Sequence, residues 1–372
     1  MKKLQLIKNA KKIVIKIGSS LLIDNDKFNY KWLRSFVEDL DSLLNKTQII
    51  IVASGAVSLG KSYLKFNTHE VNLNIKQAFA ACGQIFLMNN FIKVFEEKKK
   101  KVAQILLTFA DTEDRRRSLN SRETIKSLLL SDVIPIINEN DTVATDELKF
   151  GDNDRLAARV AQIVEADLLL LLTDVEGLFN KNPKHHGDAK LVEKVTKIDS
   201  QIYKMASSQT NSYGSGGMLT KIQAAEIAGS YGCNTLIFQG NIENPLKNLK
   251  KNDKGSLFIS SEKKKKGMKN WLAGSINIAG ALEIDNGAID ALKNGASLLP
   301  SGIQRVLGKF SKGDIIEIKD YNGKKLGKGI SYYDANEVEM IKGKKSALIK
   351  KTLGYEGREE VIHRDYLYLS ER

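Results

Sequence analysis

Leu168-Leu169-Leu170-Leu171-Leu172-Thr173-Asp174-Val175-Glu176-Gly177-Leu178 is the stretch on which the fold turns. Successive side chains of a strand point to opposite faces, so an unbroken leucine run is apolar on both. Such a strand has to be covered from above and below, which is the habit of parallel sheets sandwiched by helices. The run Leu168 to Leu172 ends in Thr173-Asp174 and is far shorter than the roughly 20 residues of a membrane span. Similar short apolar runs lie on either side: Ile13-Val14-Ile15, Ile49 to Val52, Val102 to Leu107, Val133 to Ile137 and Thr235 to Phe238. Between them the spacing predicts helices over about Tyr30 to Leu44, Leu73 to Lys98, Leu119 to Leu130, Arg155 to Glu165 and Thr220 to Tyr231. This alternation predicts an α/β fold with a mostly parallel sheet between helices.

The pattern changes beyond Gly240. Asn241 to Gly267 is polar and Lys-rich, holding one more strand candidate, Ser256 to Ile259, and the run Lys263 to Lys266. From Ser275 the chain offers short strands among glycines: Ser275 to Ile278, Asp314 to Ile318 and Lys328 to Tyr332. The expected organisation is a first domain over residues 1–269 and a small, mainly β second domain over 275–372. Length and composition agree with two packed domains: 372 residues, 42% hydrophobic and 27% charged. The net charge of +14 favours anionic ligands or nucleic acid, or marks a Lys-rich surface. From Asn270 to Arg372 there are 16 Lys and Arg against 14 Asp and Glu, an excess of two, so the basic charge resides before residue 270. Cys82 and Cys233 have no disulfide-framework or metal spacing, and the start of the chain lacks a signal-peptide core. A soluble, cytoplasmic protein with no membrane partner is expected.

Four segments follow strand candidates, where open α/β sheets place their ligands. Lys16-Ile17-Gly18-Ser19-Ser20 offers an ammonium and backbone N–H groups to phosphate oxygens. Ala53-Ser54-Gly55-Ala56-Val57 opens a helix with small residues, a place for an anion close to the backbone. Asn138 to Val143 and Gly151 to Arg155 crowd carboxylates and amides around two short segments, more than turn chemistry requires. Thr173 to Leu178 pairs with the glycine-rich opening of a helix, Gly214 to Lys221, which lacks the GxxxxGK[ST] spacing of a Walker loop. His69, His185, His186 and His363 form neither a triad nor a metal pattern.

Taken together and in order, these segments resemble the amino-acid kinase family. VIKIGSS (14–20), VASGAVSLG (52–60), PIINENDTVAT (135–145), FGDNDRLAA (150–158), LLLLTDVEGLF (169–179) and GSGGMLTKIQAA (214–225) carry the likeness. LEIDNGAIDAL (282–292), SLLPSGI (297–303), GDIIEI (313–318), LGYE (353–356) and HRD (363–365) resemble a PUA module. The resemblance implies the amino-acid kinase fold with a C-terminal PUA domain. It also implies transfer of the ATP γ-phosphoryl group to the side-chain carboxylate of L-glutamate, the opening step of proline biosynthesis. On matching positions, Lys16, Lys221 and Asp154 form the catalytic set, Asp154 holding the two lysines. Ser54, Asn138, Asp141 and Asn153 take the substrate. ATP falls to Lys16, Thr173, Asp174, Ser215, Gly216, Gly217, Met218, Leu219, Thr220 and Lys221, with Mg²⁺ on the phosphates and no protein metal ligands. The family further implies L-proline as feedback inhibitor, acting near a loop Phe109 to Arg122, and a homo-dimer or tetramer. Alternatives of the same fold are other carboxylate or carbamate kinases. One of a different class is an RNA-binding PUA protein, which the near-neutral second domain disfavours.

Overall fold

A computed structural model describes residues 3–24, 27–43, 47–66, 72–144, 153–183, 185–207, 217–260 and 278–369. The chain divides into two compact units, Met1–Glu262 and Lys263–Arg372.

The first unit is built on an eight-stranded sheet. Its strands are β1 (Lys12–Ile17), β2 (Gln48–Ala53), β3 (Lys101–Leu107), β4 (Val133–Glu139), β5 (Leu168–Thr173), β6 (Lys194–Val195), β7 (Asn234–Gln239) and β8 (Ser256–Phe258). They lie in the order β3-β4-β2-β1-β5-β7-β8-β6. All neighbours run parallel except β7 and β8. Alternate residues serve two cores. Ile13, Ile15 and Ile17 pack with Leu168, Leu170 and Leu172 under α1 (Tyr30–Leu43), α3 (Leu73–Glu96) and α7 (Pro245–Asn252). Val14 packs with Val52, Leu169 and Leu171 under α4 (Arg115–Leu130), α5 (Asn153–Ile163) and α6 (Met218–Gly229). The leucine run of the opening stretch is thus split residue by residue between the two sides, as its lack of polar positions requires.

α3 is apolar and, at 24 residues, long enough to cross a membrane by length and composition. Phe79, Leu87, Phe91, Val94 and Phe95 are buried; the last four pack in the first core. It also presses on α2 (Ala56–Tyr63) through two glycines. A Cβ on Gly83 would lie 1.8 Å from the Ala56 carbonyl oxygen, and one on Gly60 1.8 Å from that of Phe79.

Two expectations need correction. Arg115 to Arg122 form no loop: Asp114 caps α4, its carboxylate accepting the Arg117 N–H at 2.8 Å, so the arginine run opens a helix. In the second unit, residues 275–277 lie outside the described residues and Ile278 is outside any strand. The strand is Gly280–Ile284 (β9), followed by Ile303–Gly308 (β10), Ile315–Lys319 (β11), Lys325–Ile330 (β12) and Leu367–Leu369 (β13). Their order is β10-β9-β11-β12-β13, antiparallel throughout except for β9 with β11. The expectation of a mainly β second unit is borne out; β9, β10 and β13 find partners too far along the chain for local patterning to reveal.

Candidate active site

Among the described residues, the segments Lys16 to Ser20, Ala53 to Val57, Asn138 to Val143 and Thr173 to Leu178 stand at the carboxyl ends of β1, β2, β4 and β5. Lys16 is the fifth residue of β1, and its ladder neighbours Val52 and Leu171 both face the second core. Strand parity therefore sends the lysine toward α5 and α6. The first turn of α5 supplies Asp154, fully buried, and the first turn of α6 supplies Lys221. Lys16 Nζ lies 2.7 Å from Asp154 Oδ1 and Lys221 Nζ 2.9 Å from Oδ2. Thr220 Oγ1 is 3.2 Å from Oδ2 and donates to the Gly217 carbonyl at 2.8 Å. Burial alone would raise the Asp154 pKa, but the two ammonium groups outweigh it and hold the carboxyl well below its usual range. The trio carries a net single positive charge at the edge of the second, apolar core. The N-terminus of α6, with no side-chain cap, adds its partial positive charge. The arrangement is suited to an anion.

Beside it lies an array of amides. β4 sends Asn138 to the α3 side, the same side as Ile136. There Asn138 Nδ2 donates to Gln84 Oε1 at 2.9 Å, and Asn138 Oδ1 accepts from the Glu139 N–H at 2.9 Å. Asn153, immediately before Asp154, places its Nδ2 2.9 Å from Asn138 Oδ1, 2.8 Å from Ser54 Oγ and 2.9 Å from the Ala53 carbonyl. Two hydrogens serve these three acceptors, so one bond is shared. Ser54 Oγ is an acceptor here, and no acceptor for its own hydrogen is found among the described residues. Gly55 follows at φ 116°, a left-handed turn that starts α2 directly after the serine.

The structure brings Lys16, Asp154 and Lys221 together, and likewise Ser54, Asn138 and Asn153. Asp141 is half-buried in the turn after β4. Thr173 ends β5 with its hydroxyl 3.1 Å from Asp174 Oδ1. Ser215 and Gly216 lie outside the described residues. Gly217 caps α6, while Met218 and Leu219 turn their side chains into the second core. Of these two, only backbone atoms remain for a ligand. Sequence reading missed Gln84. Its signal was one polar residue inside the apolar stretch Phe79 to Leu87, and that residue is buried. Among the described residues no group of three or more His, Cys, Asp or Glu could hold a metal ion.

Residues 11–239 match the amino acid kinase family and residues 280–353 the PUA domain. The glutamate 5-kinase of Pelagibacter ubique is 46% identical over 361 residues, 96% of this chain and 98% of that protein. That of Nitrobacter winogradskyi is 44% identical over 364 residues, 97% of this chain and 96% of its own. Among solved structures, carbamate kinase from Giardia lamblia bound to AMP-PNP is similar with a TM-score of 0.50 at 15% identity, covering 68% of this chain and 100% of that one. This last likeness is one of fold.

Proposed function

The chain belongs to the amino acid kinase family, and from that premise we propose that it transfers the γ-phosphoryl group of ATP to the side-chain carboxylate of L-glutamate, giving L-glutamyl 5-phosphate. The observation that carries the reading is the buried Asp154 gripping Lys16 and Lys221 next to the Ser54–Asn138–Asn153 array.

The chemistry asks for little more. A carboxylate is ionised at neutral pH and attacks phosphorus without a general base. Its oxygen bonds to the γ-phosphorus as the bridging P–O bond to ADP breaks, and no proton moves. The difficulty is repulsion between an anion and a polyphosphate, so catalysis rests on positioning and charge neutralisation. Lys16 and Lys221 neutralise the phosphoryl oxygens. Asp154 keeps the two cations from drifting apart. Ser54 and Asn153 orient the acceptor, and Asp141 receives its α-ammonium group. Thr173, Asp174 and the backbone at the start of α6 hold the nucleotide. Mg²⁺ fits as an ion carried in by the phosphates, since such ions are ordinarily held by phosphates and water with few carboxylates; when bound it neutralises phosphate charge.

In this reading L-proline competes with glutamate, and the reaction takes place in the cytoplasm. The chain is a homo-oligomer; the exposed Ile85, Phe86 and Ile92 of α3 offer an apolar face for a second copy. ATP consumption in the presence of glutamate, aspartate, N-acetylglutamate or carbamate tests the substrate, and trapping with hydroxylamine tests for an acyl phosphate. Turnover with glutamate and a hydroxamate product are expected. Preference for any of the other acceptors would refute the assignment.

A further inference from the structure

We propose that Gln84 is a positioning residue of the acceptor site, fixing the orientation of Asn138 and through it the donors that meet the substrate. The proposal rests on the glutamate-kinase reading. Gln84 is buried on α3 and touches no part of the Lys16–Asp154–Lys221 trio in its hydrogen bonding; its Oε1 accepts from Asn138 Nδ2 at 2.9 Å. Asn138 is therefore held from both ends. Its oxygen accepts from the Glu139 N–H and from Asn153 Nδ2, and its nitrogen is engaged by Gln84. A reversed amide would set N–H against two other N–H donors. The order passes along: with Asn138 Oδ1 as a fixed acceptor, the Asn153 amide faces Ser54 Oγ at 2.8 Å as a donor. The Ser54 oxygen being so used, its hydrogen points elsewhere, free for a carboxylate.

The height of Gln84 is itself set. Its neighbour Gly83 meets the Ala56 carbonyl so closely that a Cβ would stand 1.8 Å away, and Ala56 follows Ser54 and Gly55 in the chain. The two ends of the array, Gln84 and Ser54, are thus tied to one helix crossing. Loss of the Gln84 acceptor leaves the buried Asn138 nitrogen short of a partner and lets its amide rock, which loosens glutamate binding while leaving the lysines in place.

The test compares Gln84→Met, which keeps length and bulk without the acceptor, with Gln84→Glu, which keeps an oxygen at the same reach. First, the unaltered chain is assayed with glutamate, aspartate, N-acetylglutamate and carbamate; no turnover of glutamate at this step refutes the substrate reading irrespective of Gln84. With glutamate confirmed, Gln84→Met is expected to raise the KM for glutamate about tenfold, the size of one lost buried hydrogen bond of ~1.4 kcal/mol. kcat and the KM for ATP should stay within about twofold. Gln84→Glu should lie much closer to the original chain. If Gln84→Met does not fold by circular dichroism, Gln84→Asn, whose acceptor stops one methylene short, replaces it with the same expectation. An unchanged KM for glutamate overturns the proposal. So does an equal fall in kcat and both affinities that Gln84→Glu fails to relieve, which would make the residue a packing element only.

Discussion

Asp154 illustrates how one residue can hold a site by being unable to leave it. A fully buried carboxylate is costly unless paired, and here both oxygens face ammonium groups. Removing it would bring two buried cations together without their counterion. Asp154→Ala is therefore expected to destabilise the protein by about 3–5 kcal/mol, measured by chemical denaturation, and to abolish turnover. The pH dependence has a definite sign. The folded carboxyl titrates below its ordinary value of 3.8, so its contribution is complete above that value and is lost as pH falls through the lower folded one. Acid unfolding should consequently steepen below about pH 4 in the natural chain and be flatter in Asp154→Asn. Lys221→Ala should act differently: kcat falls about 10²- to 10³-fold, with the KM for glutamate little changed, because the lysine meets charge that grows during transfer. Near-normal turnover in steady-state assays would remove Lys221 from the mechanism.

Elements determine how much of this could be read in advance. Lys16, Asp154 and Lys221 stand out in sequence as polar residues at a strand end or helix start, while their grouping into one set is implied only by the family resemblance. Their meeting follows from strand parity and from two helices lying on the same side of the sheet. Gln84 was illegible for the opposite reason: it sits mid-helix, and its partner is 54 residues further along the chain. The start of α4 is ambiguous in sequence, because the Asp114 cap precedes an arginine run that suits a solvated loop equally well. The α2–α3 crossing is likewise a non-local fact, visible in sequence only as Gly60 and Gly83. Gly83→Ala should force these helices apart. The expected cost is about 1–3 kcal/mol in denaturation, together with weaker glutamate binding, since Ser54 and Gln84 both hang on that contact. A Gly83→Ala chain with natural stability and glutamate KM would show that the crossing relaxes freely.

At the scale of the whole molecule, the proposed kinase residues all precede Ile222, and the contact density divides the chain at Glu262. A chain ending at Lys269 is expected to fold and retain glutamate-dependent ATP turnover; a folded but inactive product would show that the second unit completes the site. The isolated segment Ser275 to Arg372, near neutral in charge, should bind structured RNA weakly and lose it as salt rises, since few phosphates can be neutralised. Tight binding across a salt series would contradict this. Asn153 and Asp154 carry one more implication. In the proposed reaction these adjacent residues serve different tasks, Asn153 reaching Ser54 and Asn138 and Asp154 reaching the Lys16 and Lys221 ammonium groups. Their Cα atoms are separated by a single trans peptide, ~3.8 Å. In the proposed reaction this backbone spacing acts as a ruler between giver and receiver. A ruler measures length. Aspartate, one C–C bond of ~1.5 Å shorter than glutamate, is therefore expected to lose about 10²-fold or more in kcat/KM.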